Sequence, residues 1–288
     1  MLHIIDLKVK RGKFELHIDD LNLSGRSTLL IGENGSGKTT LLRSIAGFIP
    51  SSGKIYIENS EVNSLPIEER GVCMLSAALN IFMDRSVKEN LLFPKRKRDG
   101  IYDDLINDLG LAEKENLKGA NLSSGESQRL AIGRCLISES KLMLFDEPFS
   151  FQDQINKMIV RDIIEKYSIR FNVPYIITTN VYGEFLYNFQ NIVSIWKGEV
   201  IENVNSLDQI THYRTASLIS PLNLIKIKDE YYTADPNGVT FGDSGYDYEV
   251  ISQGVFRVEI DGNYFYVRTS SFPKGNKLNF GKLRKLQY

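Results

Sequence analysis

The chain has 288 residues, 42% hydrophobic and 25% charged, with a net charge of −1. That length supports a sizeable buried core, and the charge balance gives no overall basic field to draw it to nucleic acid or anionic lipid. No stretch approaches the roughly 20 apolar residues of a membrane-spanning helix, and the N-terminal MLHIIDLKVKRGKF lacks the long apolar run of a secretory signal. Two cysteines, Cys73 and Cys135, lie in apolar segments. They are expected to be reduced, buried packing thiols of a cytosolic protein rather than a disulfide framework.

Near the front of the chain, KFELHID and GKIYIENS alternate apolar and polar residues, which predicts antiparallel strands. STLLIG, GVCML, KLMLF and VPYIITT are continuous apolar runs of strand length, the pattern of strands buried on both faces of a parallel sheet. Helical patterns separate them: KTTLLRSIAGF after the first, SSGESQRLAIGRCLISES before the third and DQINKMIVRDIIEKYSIRF after it. Alternation of strand and helix predicts an α/β core. The polar stretch from about residue 78 to 138, with DDLINDLGL in it, is expected to be a helical insertion, and its basic run PKRKRDG a solvated face. After about residue 210 Tyr, Gly and Asp become frequent. VFRVEIDGNYFYVR alternates around an Asp261-Gly262 turn signal, and Pro236-Asn237-Gly238 marks another. The expected organisation is residues 1–212 as the α/β domain and 213–288 as a small all-β, barrel-like domain, with a linker near Ser206 to Ser217.

The strongest motif follows the first continuous strand. GENGSGKTT spans Gly32, Glu33, Asn34, Gly35, Ser36, Gly37, Lys38, Thr39 and Thr40 and fits Gly-x-x-x-x-Gly-Lys-Thr between a buried strand and a helix. Its glycines let backbone N–H groups turn inward at phosphate oxygens, aided by the positive end of the following helix. Lys38 supplies a cation for the β- and γ-phosphates and Thr39 a hydroxyl for Mg²⁺. KLMLFDEP ends a buried strand on two adjacent carboxylates: Asp146 can hold the Mg²⁺ shell and Glu147 can take a proton from an attacking water. A second Gly/Ser-rich segment, LSSGESQR, places Ser123, Ser124, Gly125 and Glu126 at a helix start. It reads either as half of an anion site or as a Ser cap with Glu126 in the first turn.

The order of phosphate loop, Leu-Ser-x-Gly-x-x-Gln-Arg and Asp-Glu-Pro strand resembles the ATP-binding subunit of ABC transporters over roughly residues 1–210. The resemblance implies a P-loop NTPase core with an antiparallel β subdomain and a helical insertion. It further implies ATP and Mg²⁺ as cofactors and a head-to-tail dimer in which Ser123–Glu126 closes over the ATP of a second copy. Asp153 matches the last residue of a family segment that contacts the other subunit, and Phe14 is a candidate for stacking on adenine or, equally, an ordinary core residue. Two positions depart from the family: Ala77 stands where a Gln normally touches Mg²⁺ and the attacking water, and Asn180 where a His contacts the γ-phosphate. Alanine has no side-chain donor or acceptor, and an Asn amide can donate a hydrogen bond to phosphate but carries no proton or charge at neutral pH, so slow hydrolysis is expected, with a slow nucleotide-gated regulatory module as an alternative reading. The tail resembles the regulatory β-barrel (TOBE, oligonucleotide-binding-like) of importer ATPases. The whole therefore implies an importer ATPase at the cytoplasmic face of the membrane, with transmembrane permease partners and a solute-binding protein. Phe82 and Met83 are candidates for contact with such a permease or for covering the insertion's own core. Non-transport members that act on nucleic acid or ribosomes carry a long coiled coil, a second cassette or a basic surface; none is visible in this sequence, and no nucleic-acid partner is expected.

Overall fold

The computed structural model describes residues 2–76, 78–149, 154–179, 189–206, 209–219, 224–227, 230–234, 239–242, 245–252, 255–260, 263–268, 277–280 and 283–285. The chain divides into two compact units, Met1–Ser206 and Leu207–Tyr288. In the first, the strands are β1 (Leu2–Arg11), β2 (Phe14–Leu23), β3 (Ser27–Ile31), β4 (Ser52–Ile57), β5 (Ser60–Glu61), β6 (Val72–Leu75), β7 (Leu142–Asp146), β8 (Tyr175–Thr179), β9 (Asn191–Trp196) and β10 (Glu199–Val204). The helices are α1 (Lys38–Ala46), α2 (Val87–Leu92), α3 (Tyr102–Asp108), α4 (Ser124–Ile137) and α5 (Gln154–Phe171).

These ten strands form one sheet, ordered β5-β4-β1-β2-β10-β9-β3-β8-β7-β6. One half is parallel: β6 pairs with β7, β7 with β8, and β3 with both β8 and β9. The other half is an antiparallel wing built on β1, β2, β4 and β5. Burial follows sequence pattern. Every residue of β3, β7 and β8 is buried, as continuous apolar runs require, whereas β2 alternates. The core between sheet and helix joins Leu30, Leu144, Ile176 and Val193 to Leu41, Leu42 and Ile45 of α1; each such side chain contributes about 1.5–3 kcal/mol on burial. Because the central strands are parallel, their C-terminal ends share one edge, the place where open α/β sheets bind ligands.

The segment between β6 and β7 is less helical than its polarity suggests. Short α2 and α3 precede α4, with 3₁₀ turns and loops between. A fully buried Asn90 organises it: its side-chain amide donates to the carbonyls of Phe82, Arg85 and Ser86, and its oxygen accepts from the Phe82 N–H. Ser86 and Glu89 cap α2 reciprocally. The basic run is not wholly a solvated face. Arg98 is half-buried, lies 4.3 Å from the Phe171 ring centre and donates to the Ser140 carbonyl.

Cys73 and Cys135 do not remain separate thiols: they are joined in a disulfide with Cα atoms 5.5 Å apart. The 62-residue separation hid their proximity, because β6 and the end of α4 meet only through tertiary packing. Closing a loop of that length removes unfolded-chain entropy corresponding to about 4 kcal/mol on the chain-entropy account.

The second unit starts with a helix, α6 (Tyr213–Ile219), where a linker is expected from sequence. Eight strands follow: β11 (Leu224–Ile227), β12 (Glu230–Ala234), β13 (Val239–Gly242), β14 (Tyr246–Ser252), β15 (Val255–Ile260), β16 (Asn263–Arg268), β17 (Lys277–Phe280) and β18 (Leu283–Lys285). They form sheets β11-β12-β18 and β13-β17-β14-β15-β16. Phe256, Val258 and Ile260 alternate inward and meet Phe265, Val267 and Leu278, with Tyr248 packed against the cluster. The turns at Pro236-Asn237-Gly238 and Asp261-Gly262 lie outside the described residues. Among the described residues no helix is long and apolar enough to cross a membrane.

Candidate functional site

The C-terminal ends of β3, β7 and β8 hold the chemistry. Leaving β3, the chain curls through Gly35 and Gly37, with φ of 79° and 119°, left-handed values that glycine adopts without a Cβ penalty. The turn is fixed by a hydrogen bond from Ser36 N–H to the Glu33 carbonyl (3.1 Å), and α1 starts at Lys38. Lys38 folds back over the loop and donates to the carbonyls of Gly32 (2.7 Å) and Glu33 (3.0 Å). It is buried, and that burial pushes its ammonium below the ordinary lysine range, opposed by the charges of Glu147 and Asp146. Ser36 Oγ is buried without a hydrogen-bond partner and lies against Gly32, where an added Cβ would meet it at 2.5 Å.

Asp146 closes β7 at 4% exposure. Its Oδ1 accepts from Thr39 Oγ1 at 3.1 Å and from Thr178 Oγ1 at 2.8 Å. Thr178 also accepts the Glu147 N–H at 2.9 Å. Glu147 adopts φ 52°, an uncommon left-handed conformation for a non-glycine residue. Glu147 lines the cleft. The loop, Thr39 and Asp146 therefore fit a Mg²⁺–phosphate group: hard oxygen donors beside a backbone cradle.

A cleft of about 700 Å³ opens from this centre and is lined by Arg11, Phe14, Gly37, Lys38, Thr39 and Glu147, among others. Phe14 approaches Gly37 closely; a Cβ on that glycine would lie 3.1 Å from the ring. The antiparallel wing thus brings one aromatic ring and one guanidinium to the phosphate loop. Ser123–Glu126 sit apart from this lining, at the start of α4. There Ser123 and Glu126 form a reciprocal capping box, and Lys114 pairs with the Glu126 carboxylate. Lys114 and the Ser123 N–H hold that carboxyl well below its usual range, at about 2. Ser123 and Ser124 stay exposed. Asp153, Asn180 and Ala77 lie outside the described residues. Sequence reading missed two members of the site. Thr178 is a hydroxyl inside an apolar strand run, and Arg11 precedes a turn; only the strand register places them.

Comparison with known proteins decides the family. The family described as "ABC transporter" matches residues 19–150. Residues 19–150 form a domain of the ABC transporter family. Among similar proteins of that kind is the molybdenum import ATP-binding protein ModC of Vibrio parahaemolyticus, 34% identical over 207 residues, 68% of this chain and 56% of that protein. The Fe(3+) ions import ATP-binding protein FbpC 1 of Pectobacterium atrosepticum is 31% identical over 196 residues, 64% of this chain and 56% of that protein. The chain thus spans about half the length of these relatives. Among solved structures, a dimeric ATP-binding cassette in a post-hydrolysis state bound to ADP and Pi superposes with a TM-score of 0.60 at 20% identity, over 71% of this chain and 98% of that one. It shares the ABC cassette fold.

Proposed function

We propose that this chain is the ATP-binding and ATP-hydrolysing subunit of an ABC importer. The observation that carries the reading is the single hydrogen-bonded line Thr39–Asp146–Thr178–Glu147 beside the phosphate loop. ATP enters the cleft with its phosphates on the Gly32–Thr40 backbone and Lys38, and its base against Phe14. Thr39 and Asp146 would hold Mg²⁺, which neutralises the phosphate charge when bound. Glu147 takes the proton of the attacking water. Asn180, in the place of the family histidine, offers an amide hydrogen bond to the γ-phosphate.

The Ser123–Glu126 loop, with Ser123 and Ser124 exposed, is not among the residues lining its own chain's cleft, and this supports its serving the ATP of a second copy. Asp153 contacts that copy. The nucleotide-sandwich dimer works at the cytoplasmic face of the membrane with transmembrane permease subunits and a solute-binding protein. The half-buried Phe82, its ring centre 4.3 Å from that of Phe93 at a tilt of 54°, and the exposed Met83 beside it supply an apolar surface for the permease. The relatives named as molybdenum and Fe(3+) importers support a small oxyanion or metal ion as the imported solute.

The test is to weigh Glu147→Gln in solution with Mg-ATP. A nucleotide-dependent dimer is expected, together with ATPase activity in wild type that Lys38→Ala abolishes. A nucleotide-loaded chain that stays single at high concentration refutes the two-copy scheme.

A further inference from the structure

Cys73 and Cys135 mark the two roots of the insertion. Cys73 lies on β6, the last strand of the sheet, and Cys135 in the final turn of α4. Everything between them, including α2, α3 and most of α4, hangs from these points. Without the bond, the insertion is attached to the rest of the domain by its two chain crossings, by packing, and by the polar contacts of Asp104 and Asp108 on α3 with Arg170, Lys166 and Tyr167 on α5. With it, the base of α4 is covalently fixed to the strand. The helix then acts as a lever. Ser123 is twelve residues from Cys135 (135 − 123), roughly 18 Å at 1.5 Å per residue, so a rotation of about 10° at the base moves the exposed serine by about 3 Å.

The two residues differ in exposure. Cys135 is 2% exposed, whereas Cys73 is partly exposed on an edge strand. We propose that this pair is a thiol–disulfide exchange site for low-molecular-weight disulfides, with Cys73 the entry thiol and Cys135 the resolving one, and that its state sets how firmly α4 presents Ser123. The Cys73 thiolate attacks one sulfur of a small disulfide, forming a mixed disulfide and releasing one small thiolate. The Cys135 thiolate then attacks the Cys73 sulfur, closing the protein disulfide and releasing the second thiolate. The two protons lost by the cysteines end on the two small thiols, so two protein thiols are oxidised and one small disulfide is reduced. Excess small thiol runs the sequence backwards, again through Cys73. A fixed α4 has less freedom to lose when its N-terminus docks, so the oxidised form assembles more readily; this consequence rests on the two-copy reading of Ser123–Glu126.

The full-length chain tests both parts. Alkylation and intact mass are expected to count no free thiols after glutathione disulfide and two after dithiothreitol. In Cys135→Ser, glutathione disulfide is expected to leave one stable adduct on Cys73. In Cys73→Ser, the buried Cys135 is expected to stay unmodified over the same time. Failure of wild type to close its disulfide, or equal labelling of Cys135 alone, overturns the exchange site, and the wild-type measurement needs no variant to fold. For the consequence, Glu147→Gln with Mg-ATP is expected to dimerise at a protein concentration at least threefold lower when oxidised than when reduced, with no difference in a Cys73→Ser/Cys135→Ser background. Equal or inverted concentrations overturn the link to α4. Absence of any dimer, with thiol exchange proceeding as described, overturns the two-copy reading and the link that rests on it, while the adduct masses still decide the exchange site.

Discussion

Thr178 is the most economical place to challenge the architecture of the site. Its hydroxyl is fully buried, gives its proton to Asp146 and takes the N–H of Glu147. Thr178→Val keeps the shape and removes both bonds. A buried N–H left without an acceptor costs about 1–3 kcal/mol, and a hydrogen bond to a charged group is worth about 1.5–3 kcal/mol. Asp146 keeps its Thr39 partner, and valine avoids the desolvation of a hydroxyl, so the net loss is expected to be about 2–3 kcal/mol. The single tryptophan, Trp196, lies on β9 in the first unit and reports that unit's urea unfolding. The midpoint is expected to fall by an amount matching this loss, with an unchanged slope. Thr178→Ser, which keeps the hydroxyl, is expected to recover most of it. If the valine variant lies within about 0.5 kcal/mol of wild type, or serine is as damaging as valine, Thr178 does not tie the Asp146 carboxylate to the Glu147 backbone.

Other outcomes follow from the same geometry. Lys38→Met removes a buried cation whose desolvation is unfavourable in the empty protein, so the nucleotide-free melting temperature is expected to hold or rise while the Mg-ATP-induced shift vanishes; calorimetry with and without nucleotide reads both. Glu126 has a folded-state pKa below its unfolded value, so its stabilising contribution is present above about pH 4.5 and is lost as pH falls toward about 2. Glu126→Gln is expected to flatten that part of the acid-unfolding curve followed by circular dichroism. Ala77→Gln and Asn180→His, singly and together, are expected to raise ATP turnover several-fold in a steady-state phosphate-release assay without changing nucleotide affinity comparably.

The parallel core and its phosphate loop were legible because burial on both faces leaves its mark as unbroken apolar runs, and because Gly32, Gly37, Lys38 and Thr39 are constrained by one tight turn. Asp146 and Glu147 were legible for a similar reason: they end such a run. Thr178 was not, since one hydroxyl in YIITT looks like an ordinary strand residue until β8 is laid beside β7. The disulfide was hidden by sequence distance. The linker expected before the second unit turned out to contain α6 because a helix of seven residues leaves little periodicity to read. The loop-rich insertion escaped a purely helical description for another reason: Asn90 satisfies its backbone from the side, which no periodic pattern reveals.

Lys197 and Gly198, with φ of 47° and 88°, make the tight turn between β9 and β10. Gly198 gives its N–H to the Ser36 carbonyl and accepts the His17 N–H, both at 2.8 Å, and a methyl group there would sit 2.0 Å from the Glu15 carbonyl. One residue thereby rivets the anion-holding bend to the hairpin that carries Arg11 and Phe14. The two walls of the cleft, one carrying Phe14 and the other the glycine-rich loop, cannot drift independently. Swapping Gly198 for alanine would therefore degrade recognition at both ends of a nucleotide at once, from a position that touches neither.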